Sequence, residues 1–337
     1  MVTERTFEII RTIPGERTFS LFQKMDELSG QSVIGKPGDG KYAFIHRCYV
    51  LLEKGKPKAR AVLYQNPELF YKNKKAVAIG NYECVEDVNI SKSLLNFIIQ
   101  DAKNLNASFL IGPMNGSTWE NYRFSLHNNF ENFLLEPAHP VYYNQQFLSS
   151  GFKPIAYYSS RKNSNFFCNN REVLQKENSL LNFGITIRNI DIKNFERELE
   201  KLYPFICSAF NNNFLFTPIS KDIFINKYLQ FQTIINPEFV LIAENANGTV
   251  VGFVFCYDDL LNKREKSLVI KTLARDRSEK WSGLGAVMAN RVISRAKMRG
   301  YESIIHAFML DDGNSSETSE KFFGAVYKKY VLYGLEL

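Results

Sequence analysis

A strand that runs into a small-residue turn, which then opens a long helix, sets the tightest limit on what this chain can fold into. The run is Thr272-Leu273-Ala274-Arg275 followed by Lys280-Trp281-Ser282-Gly283-Leu284-Gly285-Ala286. A helix start presents unpaired backbone N–H groups and the positive end of the helix dipole. Glycines there let those groups approach a pyrophosphate closely, and the cation of Lys280 can add a charge contact. An ordinary strand-to-helix loop is the competing reading of the same spacing. A dinucleotide fingerprint is excluded, because Met288 stands where the third glycine of G-x-G-x-x-G belongs.

Hydrophobic periodicity orders the residues around that turn. A short strand is predicted over 185–189, then a helix capped by Asp191 and running to Leu202, with Phe195, Leu199 and Leu202 on one face. A second helix is expected over 221–231. Residues 239–243 read as a buried strand, Asn247-Gly248 as a tight turn, and 250–255 as the answering arm of a hairpin. Residues 267–273 complete the meander. A helix over 283–299 follows, ended by Gly300, then a strand over 303–308. Asn314 or Ser315 caps a last short helix to Phe322 or Phe323, Gly324 breaks it, and 326–335 form a terminal strand.

The first half repeats part of that order. Strands are expected over 60–64 and 76–82, a helix from Ser91 to about Asn104, a strand over 109–111, a short helix over 142–149, and a strand over 152–158 after Gly151. Residues 115–140 read as an insert in this first copy of an internal duplication. The polar, Asn-rich stretch 163–182 reads as what joins the copies, a linker with a short helix. The expected organisation is a first unit over 1–165, a linker over 166–183 and a second unit over 184–337. The expected class is α+β (mixed α/β), each unit a mixed, mostly antiparallel sheet flanked by helices.

Composition agrees with two cores. The chain has 337 residues, of which 45% are hydrophobic and 23% charged, values of a soluble globular protein. No apolar run reaches the ~18 residues of a membrane helix, and the N-terminus lacks a secretory layout. A cytoplasmic location is therefore expected, with no membrane partner. Cys48, Cys84, Cys168, Cys207 and Cys256 are scattered and form no Cys-x-x-Cys pair, so neither disulfides nor a metal site is expected. The net charge of +7 is dispersed rather than massed, with small clusters at Lys72, Lys74 and Lys75 and at Lys328 and Lys329. No nucleic-acid partner follows from it. The run 35–42 matches G-x-x-x-x-G-K, but Tyr42 replaces the Ser or Thr that would hold magnesium, and a surface loop is the better reading.

The insert carries its own candidates. Trp119, Tyr122 and Arg123 are expected together on a helix after Ser117, with Tyr143 nearby, as substrate-binding residues. Aromatic rings beside an arginine stack on planar or cationic ligands. Burial at a unit interface is the competing reading.

With these residues in view, the second unit resembles the GNAT (Gcn5-related N-acetyltransferase) family, and the first resembles a degenerate copy. The family's acyl-coenzyme A motif, Arg/Gln-x-x-Gly-x-Gly/Ala, stands here as Lys280-x-x-Gly283-x-Gly285. Thr272-Leu273-Ala274 match the family's strand, while Arg275 and Arg277 depart from its Val and Pro. Asn314, Phe322, Gly324 and Ala325 match its last helix, and Gly151-Phe152-Lys153-Pro154 match in the first unit. Residues 83–88 contain no glycine turn, so one site per chain is expected.

The resemblance implies roles. Leu273, Ala274 and Arg275 would bond pantetheine through the backbone. Lys280, Trp281, Ser282, Gly283, Leu284, Gly285 and Ala286 would hold the pyrophosphate, with Asn314 and Phe322 also against the cofactor. The strands near Ala274 and Ala307 would splay to admit the thioester of acetyl-CoA or another acyl-CoA. An amine on a small molecule or peptide would attack the acyl carbonyl directly. Asp258, His306 and Tyr327 are the candidate acid and base residues. Phe322 and Phe323 stand where many members carry an acidic Tyr, which motivates a competing reading as a non-catalytic CoA-binding or interaction protein. A monomer or homodimer is expected.

Overall fold

The structure, a computed structural model, describes residues 5–29, 43–127, 129–166, 168, 170–311 and 324–337. The run 35–42 and the residues Asn314, Phe322 and Phe323 lie outside them. In chain order the first half contains β1 (Phe7–Thr12), α1 (Phe19–Ser29), β2 (Ile45–Glu53), β3 (Lys56–Tyr64), β4 (Phe70–Tyr71), β5 (Lys74–Cys84), α2 (Val88–Lys103), β6 (Phe109–Gly112), β7 (Phe124–Ser125), α3 (Tyr143–Ser149) and β8 (Lys153–Asn163). The second contains α4 (Arg171–Asn182), β9 (Thr186–Asn189), α5 (Phe195–Phe210), α6 (Lys221–Leu229), β10 (Val240–Glu244), β11 (Val250–Asp258), β12 (Ser267–Arg275), α7 (Leu284–Met298), β13 (Ser303–Leu310) and β14 (Ala325–Glu336).

Fourteen strands form one sheet, twelve of them in the order β1-β2-β3-β5-β6-β14-β8-β13-β12-β11-β10-β9, with β4 on β5 and β7 on β14 beside that path. The path is a palindrome of the duplication. On each side a three-strand meander is followed by one parallel pair, β5 with β6 and β12 with β13. A crossover helix, α2 or α7, makes each parallel pair possible. At the centre β8 and β14 pair antiparallel from Lys162 against Ala325 to Lys153 against Gly334.

That centre is a reciprocal exchange. The final strand β14, expected as the last strand of the second unit, lies between β6 and β8, both from the first half. The neighbour of β13 is β8, again from the first half. Period-two alternation fits β14 to its place. Val331 and Tyr333 enter the core under α2 and α3, while Tyr330 and Leu332 enter the core on the opposite face beside α1. The second half repeats this layering. Leu268, Ile270, Leu284 and Val292 pack under α7, and Leu199, Leu202, Phe224 and Ile242 pack under α5 and α6.

Three local expectations change, and one helix falls where it was expected. Asp87, not Ser91, caps α2, its carboxylate accepting from the amides of Asn89 and Ile90. Helix α5 does not stop at Leu202 but continues through Pro204 to Phe210. The lost hydrogen bond of a mid-helix proline is offset by burial of Phe205 and Ile206 against α6. Residues 117–123 form turns rather than a helix, with Arg123 at φ 71 and the Asn115 amide bonded to the Asn121 carbonyl. The joining stretch forms α4, and its Leu180 is buried in the core that contains Trp281 and Leu284.

Candidate functional site

The parallel pairing of β12 with β13 runs only from Ser267–Ser303 to Ile270–His306. Beyond it β12 stays paired with β11 through Arg275, while its other edge has no strand partner among the described residues. The strands therefore fork, with the backbone of 271–275 unpaired on the β13 side among the described residues. The fork is widened by local irregularities. Lys271 is the extra residue of a bulge against β11, opposite the step from Phe255 to Cys256. Phe308 on β13 has φ 61 and donates its amide to Ser160 Oγ at 3.2 Å.

From the open end of β12 the chain enters the turn. Asp276 Oδ1 accepts from the amide of Ser278 at 2.8 Å, a short 3-10 turn covers Glu279–Trp281, and Gly283 takes φ 82 as the N-cap of α7. Only glycine adopts that conformation without strain. No side chain caps α7, whereas side chains cap α2, α4 and α6. Its first intrahelical bond is from the Val287 amide to the Gly283 carbonyl at 3.1 Å. Trp281 and Ser282 donate their amides to the Ser278 and Glu279 carbonyls, so only the amides of the first turn, from Gly283 to Ala286, are left for an anion, of the kind that helix starts bind. A Cβ on Gly285 would meet nothing within 4 Å, so backbone and ligand can approach there.

Three cations ring this helix start and form no ion pair among the described residues. Lys280 Nζ stands 4.6 Å from the centre of the Trp281 ring. Arg275 Nη1 donates to the carbonyl oxygens of Asp276 and Ser278. Lys176 of α4 drapes over Gly283, its stem 2.8 Å from where a Cβ would sit. Lys176 was not a sequence candidate, because nothing local signals that the joining stretch packs on α7. Trp281 and Leu284 are corrected in role: their side chains are buried core, and since the Trp281 amide donates to the Ser278 carbonyl, only the Leu284 backbone is left to the turn.

The equivalent fork in the first half is filled. β5 pairs with β6 over Ala76–Ala78, and the segment after β6 then takes the open edge. The Met114 amide donates to the Ile79 carbonyl at 2.8 Å, and Asn115 Oδ1 accepts from the Asn81 amide at 2.8 Å. A Cβ on Gly80 would meet Asn115 Oδ1 at 2.3 Å, so the two segments are in close contact. The start of α2 is occupied by the Asp87 carboxylate, which also binds Arg5 at 2.7 Å. A second anion is repelled there.

The remaining candidates separate. Asp258 pairs with Leu268 at the closed end of the β11–β12 ladder and accepts from the Tyr301 hydroxyl, three strand residues short of Lys271, about 10 Å away. It is therefore set apart from the open end of the fork. His306 is buried at the last β12–β13 pair, and desolvation aided by Arg161 pushes it down to about 4, so it is neutral at pH 7. Tyr327 is the bulged residue of β14 and packs against the cluster of Val269, Ile305 and Ala307. Burial first, then nearby carboxylates led by Glu136, pushes it up to about 12, so it keeps its proton.

The grouping of Trp119, Tyr122, Arg123 and Tyr143 is corrected too. Tyr143 is in the first core against Tyr82 and Phe124. Trp119 donates to the Thr217 carbonyl at 2.8 Å and lines an apolar cavity of about 60 Å³ with Leu199, Phe224, Phe255 and Thr272. Tyr122 and Arg123 reach the fork. The Arg123 guanidinium is 3.8 Å from the Tyr122 ring centre, 4.4 Å from Tyr158 and 4.5 Å from Phe308.

No family model and no curated protein sequence matches the chain. Solved structures do. The chain is similar to the glucosamine N-acetyltransferase region of a fungal multi-domain β-N-acetylglucosaminidase, at 14% identity and TM-score 0.57, covering 99% of this chain and 38% of that one. It is similar to a tandem GNAT protein of the clavulanic acid biosynthesis pathway, at 10% identity and TM-score 0.52 over 98% of both chains. It is also similar to a GCN5-related N-acetyltransferase from Sphaerobacter thermophilus, at 13% identity and TM-score 0.51 over 98% of this chain and 95% of that one. Together with the palindromic sheet and its two forks, these likenesses give the chain the mixed α/β fold of the GNAT acyltransferases, in two tandem units.

Proposed function

We propose that this chain is an acyl-coenzyme A-dependent N-acyltransferase with acetyl-CoA as the donor and a single donor site in the second unit. The observation that carries the reading is the uncapped start of α7 at the open end of the fork between β12 and β13. Amides and cations meet a pyrophosphate there, and the unpaired edge of 271–275 meets the pantetheine amides.

The reaction that suits such a fork is direct attack. The acceptor nitrogen forms a bond to the acyl carbon, the carbon–sulfur bond breaks, the nitrogen loses a proton to a base or water, and the thiolate gains one. Tyr327, held protonated beside Ala307, is the proposed donor to the thiolate. His306, buried and neutral, is not needed. The GNAT neighbours are named as N-acetyltransferases, which favours an amine acceptor.

Release of CoA from acetyl-CoA in the presence of a panel of amines tests the reading. Turnover with at least one amine is expected. CoA binding with no release on any amine would favour the non-catalytic alternative.

A further inference from the structure

At the mouth of the fork two cations flank one ring. Lys271 Nζ is 4.4 Å from the centre of Phe308, and the Arg123 guanidinium is 4.5 Å from it. Among the described residues neither forms an ion pair. Arg123 is buried, at 5% exposure, and its Nη1 has no hydrogen-bond partner there. Its Nε donates to the Tyr122 carbonyl at 3.2 Å, so the guanidinium is held in place while one edge stays unused. Lys271 is an exposed residue at the β12 bulge, and its ammonium lies over the Phe308 ring. A further cation felt at Lys271, Lys227, is already paired with Glu120 at 2.7 Å.

Two like charges beside one apolar ring repel each other and lack a counter-ion. A buried donor without a partner keeps the desolvation cost and gains no bond in return. Both costs are removed by one anion that reaches Lys271 and the free edge of Arg123. Backbone strain points to the same spot, since Arg123 and Phe308 both have left-handed φ, at 71 and 61. The GNAT donor's phosphates are accounted for at α7, so this second anion belongs to another part of the reactants.

We infer that Lys271 and Arg123 form a carboxylate-binding subsite at the thioester end of the fork. The carboxylate has two sources: an amino-acid acceptor, or the acyl group of a dicarboxylic acyl-CoA. Assignment to a reactant rests on the acyl-transfer reading; the anion site itself does not.

Equilibrium binding to the full chain tests both sources. One arm compares succinyl-CoA with acetyl-CoA. The other compares the common amino acids with their carboxamides, in the presence of CoA. At least one pair is expected to favour the carboxylate by about tenfold or more, with Lys271→Gln removing that preference. Arg123→Gln is the companion variant, and the exposed Lys271 keeps the test open if it fails to fold. Equal binding within every pair, or a preference that survives Lys271→Gln, overturns the subsite. CoA release, followed in separate samples that hold both an acyl-CoA and the same amines, separates the two readings. Carboxylate preference without release sinks acyl transfer and keeps the anion site, while release without preference sinks the anion site alone.

Discussion

Lys328 Nζ lies 2.7 Å from Glu136 Oε2, with the lysine side chain 1% and the carboxylate 0% exposed. The pair joins the exchanged strand β14 to the insert of the first half. Glu136 also accepts from the Tyr330 hydroxyl at 2.8 Å and from the Phe133 amide at 3.1 Å, and Lys328 also donates to Asn132 at 3.0 Å. Both carboxylate oxygens and two of the three ammonium donors are thus engaged. Removing one partner strands the other in the interior, at a cost of about 3–5 kcal/mol. Lys328→Met and Glu136→Gln are each expected to lower Tm sharply, and Lys328→Met with Glu136→Leu to cost less than the sum. Denaturant melts of the three variants check this; additive losses would contradict it.

One CoA per chain is expected. The first fork is filled by Met114 and Asn115, and the Asp87 carboxylate occupies the start of α2. Calorimetric titration with CoA should give a stoichiometry near one, and Asp87→Asn should not raise it, because the fork remains plugged. A second binding event in the wild type would refute this account.

Much of this arrangement is legible from local patterns, and the rest is not, for physical reasons. The meander and turn of the second half follow from alternation, from Asn247-Gly248 and from the glycines at 283 and 285, all of which act within a few residues. The place of β14 does not. Its pattern demands two buried faces, yet its neighbours Phe109–Gly112 and Lys153–Asn163 are more than a hundred residues away. Nothing in the strand itself distinguishes them from β13. Cap choice is similarly contextual: Asp87 and Ser91 are both good caps, and Arg5 adds an ion pair only at Asp87. At the site, Gly283 and Gly285 announce themselves, whereas Lys176 and Lys271 are ordinary lysines until α4 packs on α7 and β12 bulges.

Lys271 gives a pH signature. Desolvation in the fork, then the charges of Arg123 and Lys227, push it from the ordinary 10.5 down to about 7. The unfolded chain therefore binds the extra proton between about pH 7 and the ordinary lysine range, and stability rises with pH across that window. The penalty is fully present below pH 7. Lys271→Met should raise Tm at pH 6, with the gain shrinking as pH climbs above 7. The gain is small, because the residue as a whole is exposed although its ammonium packs over the Phe308 ring. Anion affinity in the fork should move oppositely, weakening as pH rises through about 7 in the wild type and holding in Lys271→Arg. A flat wild-type profile would contradict the placement.

Two glycines in one turn should respond differently to alanine. Gly283 has φ 82, where an L side chain is strained by roughly 1–2 kcal/mol. Its Cβ would also push on the Lys176 stem, which is flexible and can move. Gly283→Ala should therefore lower stability and CoA affinity together. Gly285 lies in the first turn of α7, and its Cβ would point into open space. Gly285→Ala should leave Tm unchanged or raise it, since alanine favours helix by up to about 1 kcal/mol. If the pyrophosphate occupies that space, the same methyl group blocks the close approach, and CoA affinity should fall by about tenfold or more, ~1.4 kcal/mol or above. Melting curves with and without CoA read both effects in one experiment. A Gly285→Ala protein that is as stable and binds CoA as tightly as the wild type would remove the turn from the donor site.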